Sequence, residues 1–544
     1  MNSVILVLGS IIVFVLAYAT YGAWLCKKWG IDVKRPTPAH TRKDGIDYVP
    51  TPAPILLGHH FSSIAGAGPI VGPIGAAVFG WLPVVLWIII GSIFFGGVHD
   101  MGALFASIRH DGKSIGEVIN VNMGKSGKRL FSWFAWLTLI LVIAAFTSIC
   151  ASTFVSTPSA GTSSGLFMIL AIFFGYFVYR KGVGLGLSSV IGVVLLFFCI
   201  WLGLSFPLVL SYNTWVIILL VYISIASIAP VWILLQPRDY LNSFLLYAML
   251  IGATLGIIIS HPTIKLPAVT SFDLGKGNLL FPMLFVTVAC GAISGFHSLV
   301  ASGTTAKQLT SEKDVKLIGY GSMLIEGVLA IVAIVTAAYI GADKLTDLLK
   351  GGAVNVFSDG IGNFMTSFGI PFATGKSFTA LAISAFALTS LDTATRLGRF
   401  IFQEMFDNGT ENGKTPNMLT NKYVATVVTV IFGGALTFMG WAKVWPIFGS
   451  ANQLLAALAL LTIAVFLKNM GKEYRMVIIP AIFMFLVTQV ALVLLIAEKS
   501  KDLGANWFLV VIACVLFVLA IVLLVSGVKA LASKPKDLDK NVKA

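Results

Sequence analysis

Six ionisable side chains sit where hydrocarbon is expected. His59, His60, Asp100, His297, Glu326 and Asp392 each lie within a long apolar stretch. A charge near the centre of a membrane helix costs about 2.5–3.5 kcal/mol on insertion scales, so such groups face a bundle interior or a wet cavity. With unbroken helices, His60, Asp100, His297, Glu326 and Asp392 would share the cytoplasmic half of the membrane. Three acids and two imidazoles at one depth could pass protons, because burial moves carboxyl groups toward the working pH range. The competing reading is a set of static hydrogen bonds between helices. Arg238 and Asp239 fall at an expected inner boundary, where a surface ion pair accounts for them.

The His59-His60 pair also raises metal binding, with His297 as a third ligand. Neighbouring residues on a helix point about 100° apart and seldom chelate one ion, and no second ligand motif follows. No resident metal or cofactor is expected. His59 reads as a satisfied structural histidine and His60 as the one facing a pore.

The backbone around these groups is as telling as the side chains. Residues 58–75 place five glycines, two prolines and two serines in a membrane-length apolar segment. Inside a helix each Gly costs about 1 kcal/mol and each Pro about 3 relative to Ala. Freed backbone groups in lipid must be met by protein or by a cavity. A broken helix lining a site satisfies both demands. Residues 279–304 carry a second cluster. Gly66, Gly68, Gly72, Gly291, Gly295 and Gly303 would let backbone approach a ligand, and Ser62, Ser63, Ser294, Ser302, Thr304 and Thr305 add hydroxyls. Exposed helix-start amides beside hydroxyls suit a carboxylate. Tight helix packing through small residues is the alternative. Further along, Asp392 and Arg396 are spaced to pair along one helix. Asn452-Gln453 must find partners across helices, and Asn452 joins the substrate-binding candidates.

These groups need elements to hold them. Apolar residues make up 57% and charged residues 11% of 544, with a mean hydropathy of +0.93. Soluble domains carry about 25% charge. The composition is that of an integral membrane protein. At about 20 apolar residues per crossing, spans are expected near 3–25, 53–80, 82–107, 130–154, 163–179, 186–206, 214–236, 240–260, 279–304, 317–341, 377–399, 424–441, 446–467, 476–496 and 506–528. Placing the loop 26–52 in the cytoplasm puts 29 Lys and Arg inside and 8 outside, as the positive-inside rule requires. The N-terminus is then outside and the C-terminus cytoplasmic. The outer connection 342–376 reads equally as an interfacial helix capping the bundle or as a solvated loop. The net charge of +14 follows from the loop bias, so nucleic acid is not an expected partner. The five cysteines form no CxxC pair and read as small hydrophobes. Gly124-Lys125-Ser126 lacks the upstream glycine of a phosphate loop, and no hydrolytic triad stands out. ATP-driven work and enzymatic turnover are not expected.

Gly58-His59-His60-Phe61-Ser62-Ser63-Ile64-Ala65-Gly66 is echoed by Gly295-Phe296-His297-Ser298-Leu299-Val300-Ala301-Ser302-Gly303. The second lies seven spans on from the first, an odd step, so the two run in opposite directions. That is the pattern of an inverted repeat. The expected fold is an all-α polytopic bundle of about 15 transmembrane helices, a single domain over 1–544. It has inverted repeats (cores about 53–260 and 279–470), two discontinuous helices as in amino-acid transporters, and peripheral helices at 476–528.

Several segments are similar to the carbon starvation protein A (CstA) family of bacterial transporters. They are Gly58 through Gly75, Arg109-His110-Asp111-Gly112-Lys113-Ser114, Pro237-Arg238-Asp239-Tyr240-Leu241, Ala289 through Thr305, Leu391 through Arg399, and Trp445 through Leu455. The resemblance implies an inner-membrane secondary transporter, used when carbon is short, that takes up peptides or pyruvate together with protons. Members associated with pyruvate are longer than this chain. On this reading the substrate-binding candidates are His60, Ser62, Ser63, Gly66, Gly68, Gly291, Ser294, His297, Ser302, Gly303, Thr304, Thr305 and Asn452. The proton-coupling candidates are His60, Asp100, His297, Glu326 and Asp392. The partners are the small solute, protons and membrane lipid. A transition-metal carrier using His59, His60 and His297, and a nutrient sensor without flux, are the alternatives.

Overall fold

The structure is a computed structural model and describes residues 2–44, 48–229, 235–275, 278–406 and 418–535. Residues 230–234 of the expected span 214–236 lie outside the described residues, as do Lys276, Lys414, Lys536, Lys540 and Lys543 of the charge census.

Among the described residues the chain is helical, with only isolated β-bridges. The first part comprises α1 (Ser3–Trp29), α2 (Ala53–Ile64), α3 (Gly68–Phe79), α4 (Trp81–Arg109), α5 (Ile115–Met123), α6 (Lys125–Ser156), α7 (Pro158–Val178), α8 (Gly186–Ser205), α9 (Tyr212–Ile228) and α10 (Pro237–Ser260). There follow α11 (Leu280–Val288), α12 (Gly295–Gly303), α13 (Lys316–Ile340), α14 (Ala342–Leu349), α15 (Ala353–Met365) and α16 (Phe372–Phe406). The last are α17 (Lys422–Thr437), α18 (Lys443–Asn469), α19 (Arg475–Asp502) and α20 (Asn506–Ala532). Among the described residues eleven of these helices are long and apolar enough to cross a membrane. The run Leu280–Lys307 that holds α11 and α12 makes a twelfth, and the bent pair α2/α3 brings the number to thirteen if it is one span. The helices α9 and α17 are apolar but shorter.

Burial sorts these helices into an inner and an outer set. The most apolar stretches of α16 and α18 are wholly buried, and α6 nearly so. In α1, α8 and α20 only a third of that stretch is buried. Ile12, Leu187, Val194, Ile217 and Val518 point outward, which is the expected arrangement where the solvent is lipid. The connection 342–376 is not a loop. It holds α14 and α15, and α15 packs its Val356, Phe357 and Ile361 into the bundle.

Both expected interruptions are present. The axis bends by 46° between α2 and α3. Ala65 leaves the helical region at ψ 38°, and Pro69 opens α3. Between α11 and α12, Ala289 takes φ 43° and Ser294 an extended conformation. The freed backbone groups are met by protein. Ser390 donates to the Ser63 carbonyl at 3.3 Å, and Ser92 to the Gly291 carbonyl at 3.2 Å. Gln453 Nε2 donates to Phe285 O at 2.5 Å, and Trp445 Nε1 to Thr287 O at 3.3 Å.

Candidate functional site

The two breaks pack against one another. A Cβ on Gly72 would stand 2.2 Å from the Val288 carbonyl oxygen, and one on Gly68 would stand 2.6 Å from Cys290 Sγ. Gly66 faces Ser390 and Phe146, and Gly291 faces Ala330. In this conformation these glycines let α3 and α11 touch. The start of α12 is also closed. Asn452 Oδ1 accepts the Phe296 N–H at 2.9 Å, and its Nδ2 donates to Ser294 Oγ at 3.1 Å. The helix-start amide expected to face a carboxylate is therefore engaged by α18.

The open space lies at one end of the bundle. A cavity of about 340 Å³ is lined by His59 and Ser63 of α2, Asp239 of α10, Ser302 and Gly303 of α12, and Thr393, Arg396 and Leu397 of α16. Thr51, Ser114, Thr304, Lys307, Gln308 and Glu404 are among the other residues that line it. This volume falls in the range of small-molecule sites. Of the expected binding residues, Ser63, Ser302, Gly303 and Thr304 reach the cavity. His60, Ser62, Gly66, Gly68, Gly291, Ser294, His297, Thr305 and Asn452 do not line it. Ser62 donates to Gly58 O at 2.7 Å along its own helix.

The expected roles of the histidine pair are exchanged. His59 faces the cavity, its Nδ1 3.9 Å from Asp239 Oδ2. His60 is buried, with Nδ1 2.8 Å from Thr305 Oγ1. The packing of α2 against the segment after α12, where His60 meets Thr305, goes with this face of α2 turned inward, and the sequence gives no signal of that rotation. His59, His60 and His297 engage three different partners. Among the described residues no three His, Cys, Asp or Glu side chains converge in a metal-holding group.

The buried ionisable groups fall into two clusters. In the first, Asp100 sits between two imidazoles. His99 Nδ1 is 2.7 Å from its Oδ1, and His297 Nδ1 is 2.7 Å from its Oδ2. Glu326 lies 3.4 Å from His297 Nε2. All four are buried. Asp100, His297 and Glu326 were expected to share a depth. His99 was missed, although it adjoins Asp100 in a helix with few other polar residues.

Asp392 belongs to the second cluster and corrects two expectations. It does not pair with Arg396, whose Nη2 donates to Ala226 O at 2.9 Å and Ala229 O at 2.6 Å. Its partner is Arg238, which is no surface residue but 1% exposed. Arg238 Nη1 bonds Asp392 Oδ2, and Tyr222 donates to the same oxygen at 2.7 Å. Arg238 Nη2 donates to Asp239 Oδ1 at 3.1 Å, which Thr389 also meets at 3.1 Å. The helix of α10 extends back to Leu235, so Arg238 stands inside the span and not ahead of it, as a start at 240 would place it.

A model of a known family matches residues 2–350 and 342–491, and its description is carbon starvation protein CstA. The chain belongs to the CstA family. It is 31% identical to the peptide transporter CstA of Bacillus subtilis strain 168, over 99% of this chain and 98% of that one. It is 32% identical to the pyruvate/proton symporter BtsT of Escherichia coli K12, over 93% and 83%. Among solved structures it is similar to the Eremococcus coleocola manganese transporter in complex with an aromatic bis-isothiourea substituted compound. There the TM-score is 0.52 at 12% identity, over 90% of this chain and 99% of that one. At that identity the likeness speaks for fold. This CstA-family chain is a multi-pass membrane protein with a transporter fold.

Proposed function

We propose that the protein is a secondary active importer of short peptides or pyruvate, driven by protons across the bacterial inner membrane. It catalyses no covalent chemistry on its cargo. The observation that carries this reading is the cavity bounded by α2 and α12, the two helices that adjoin the breaks. Its lining carries cations at Lys307 and Arg396, which suit a carboxylate, beside the acids Asp239 and Glu404. The hydroxyls of Ser63, Ser302 and Thr304 also line it and donate back to carbonyls of their own helices. The Lys and Arg bias of the loops supports a cytoplasmic position for this end, and on that reading the N-terminus is outside, the C-terminus is inside and the conformation is open inward. The echo of residues 58–66 at 295–303, with the opposite direction expected from the order of spans, supports two repeats that rock about the breaks. The coupling proton is taken by one of His60, Asp100, His297, Glu326 and Asp392. Proteoliposomes with an imposed inward pH gradient should accumulate labelled pyruvate or labelled dialanine. Uptake of neither, with the protein shown to be folded, would overturn the reading.

A further inference from the structure

We infer that Arg238 is the receptor for the cargo's carboxylate group and that Asp392 occupies it in the cargo-free state, giving way when a proton neutralises Asp392. The inference rests on the transport reading above and goes beyond it by naming the site and its exchange partner.

Arg238 and Asp392 form a buried ion pair, each about 1% exposed. The pair stands directly behind the cavity wall. Asp239, next to Arg238 on α10, and Thr393, next to Asp392 on α16, both line the cavity. The pair is also incompletely used. Arg238 Nε–H and Asp392 Oδ1 make no hydrogen bond within the protein. A guanidinium presents five N–H donors in a planar fork suited to a second carboxylate.

Removing one partner from a buried ion pair strands the other charge at a severe cost. Arg238 therefore leaves Asp392 only when another anion replaces it. Asp392 can be left only when an O–H bond has formed on its carboxylate. Carboxylate entry and proton entry are then one event. Before the exchange the site holds Arg238⁺, Asp239⁻ and Asp392⁻. After it, the site holds Arg238⁺, Asp239⁻, neutral Asp392 and the cargo carboxylate, and the total is unchanged. The other titratable groups facing the pair are Tyr222 of α9, Asp239 of α10 and Cys150 of α6, with His59 of α2 across from Asp239. Asp239 keeps its bonds to Thr389 and Arg238 in both states and so holds the guanidinium in place.

The test uses purified full-length protein reconstituted in vesicles, with pyruvate and dialanine as separate probes. Methyl pyruvate and alanyl-alaninamide are the matching probes without a carboxylate. In wild type, either carboxylate should draw one proton onto the protein per molecule bound. Its affinity should fall about tenfold per pH unit once Asp392 must be protonated to bind it. The uncharged analogues should do neither. D392N, fixed in the neutral form, should exchange carboxylate across the vesicle membrane with a pH-independent half-saturation and show no gradient-driven accumulation. R238Q should bind neither carboxylate. A response to pyruvate alone or dialanine alone identifies which carboxylate the site takes. Gradient-driven accumulation retained in D392N, or equal exchange of the uncharged analogues by wild type, overturns the inference while leaving transport intact. Wild type that exchanges no probe overturns the transport reading itself. If D392N is not recovered folded, the wild-type arms decide: carboxylate binding without proton uptake refutes the proposal.

Discussion

Glu312 ties together the segments that carry the rim residues Thr51, Lys307 and Gln308, and its removal should loosen them. Its carboxylate is 2% exposed. Arg109 Nη2 donates to Oε2 at 2.8 Å, Arg109 Nε lies 2.8 Å from Oε1, and the Asp32 N–H donates to Oε2 at 2.9 Å. Three segments meet there: the connection after α1, the end of α4 and the connection after α12. The first and third also touch through Thr37 Oγ1 to Leu309 O at 2.5 Å and Thr51 N–H to Gln308 O at 3.0 Å. E312A strands the Arg109 guanidinium. Breaking a buried pair from one side costs about 3–5 kcal/mol. Arg109 keeps Gly30 O at 3.3 Å and the Phe105 ring at 4.9 Å, so the lower end applies. About 3 kcal/mol is roughly a hundredfold in the unfolding equilibrium. The assay is SDS-driven unfolding in mixed micelles for wild type, E312A, R109A and the double variant. The two residues should be coupled by about 2 kcal/mol. A coupling below about 0.5 kcal/mol would refute the claim that this ion pair holds the rim.

G72A should cost about 1–3 kcal/mol, because its Cβ meets the backbone oxygens of Val288 at 2.2 Å and Thr287 at 2.8 Å. G75A, whose Cβ would be 3.4 Å from Thr287 Cγ2, should melt like wild type in a thermal-shift assay. H297A leaves Asp100 with His99 alone and should destabilise by about 3–5 kcal/mol, and adding D100N should recover part of that loss in the same SDS titration. Glu117, outside the spans, is pushed up by burial but more strongly drawn down by its bonds from Lys128 and Asn120 and by the Lys128 and Lys113 charges, so its carboxyl titrates below the usual glutamate value. A depressed folded value stabilises above the unfolded one. The advantage of wild type over E117Q should therefore be complete at pH 7 and vanish as pH falls below about 4, read from melts across that range.

How much of this was legible in the chain depends on what each feature needs. Apolar length requires only local counting, and helices stand where it puts them. The glycines and prolines of 58–75 forecast a break because each raises the cost of an unbroken helix, and α2 bends away from α3 there, while Gly72, Pro73 and Gly75 are carried inside α3. What the sequence could not show was rotation. His59 and His60 differ by about 100° around the helix axis, and only the packing of α12 decides which one meets water. The same blindness hid Arg238. A basic residue near a span end reads as interfacial, and its burial is settled by Asp392, 154 positions away. Spacing along one helix favoured Arg396 for Asp392, because an i, i+4 pair is visible in one dimension. The fold instead gives Arg396 the open carbonyls at the end of α9 and leaves the acid to α10.

That exchange of partners bears on mechanism. A pair within α16 would move as one body, so no rearrangement of helices could part it. A pair bridging α10 and α16 is broken by any motion that separates those helices, and buried charges resist such motion until both are compensated. The bonds that hold Asp392 thus set the condition for movement. On the exchange proposed above, the helices part only when a proton and a second anion have arrived together, and otherwise they stay closed on each other. A leak of protons without cargo, or of cargo without protons, would require one of these two charges to stand alone in the membrane.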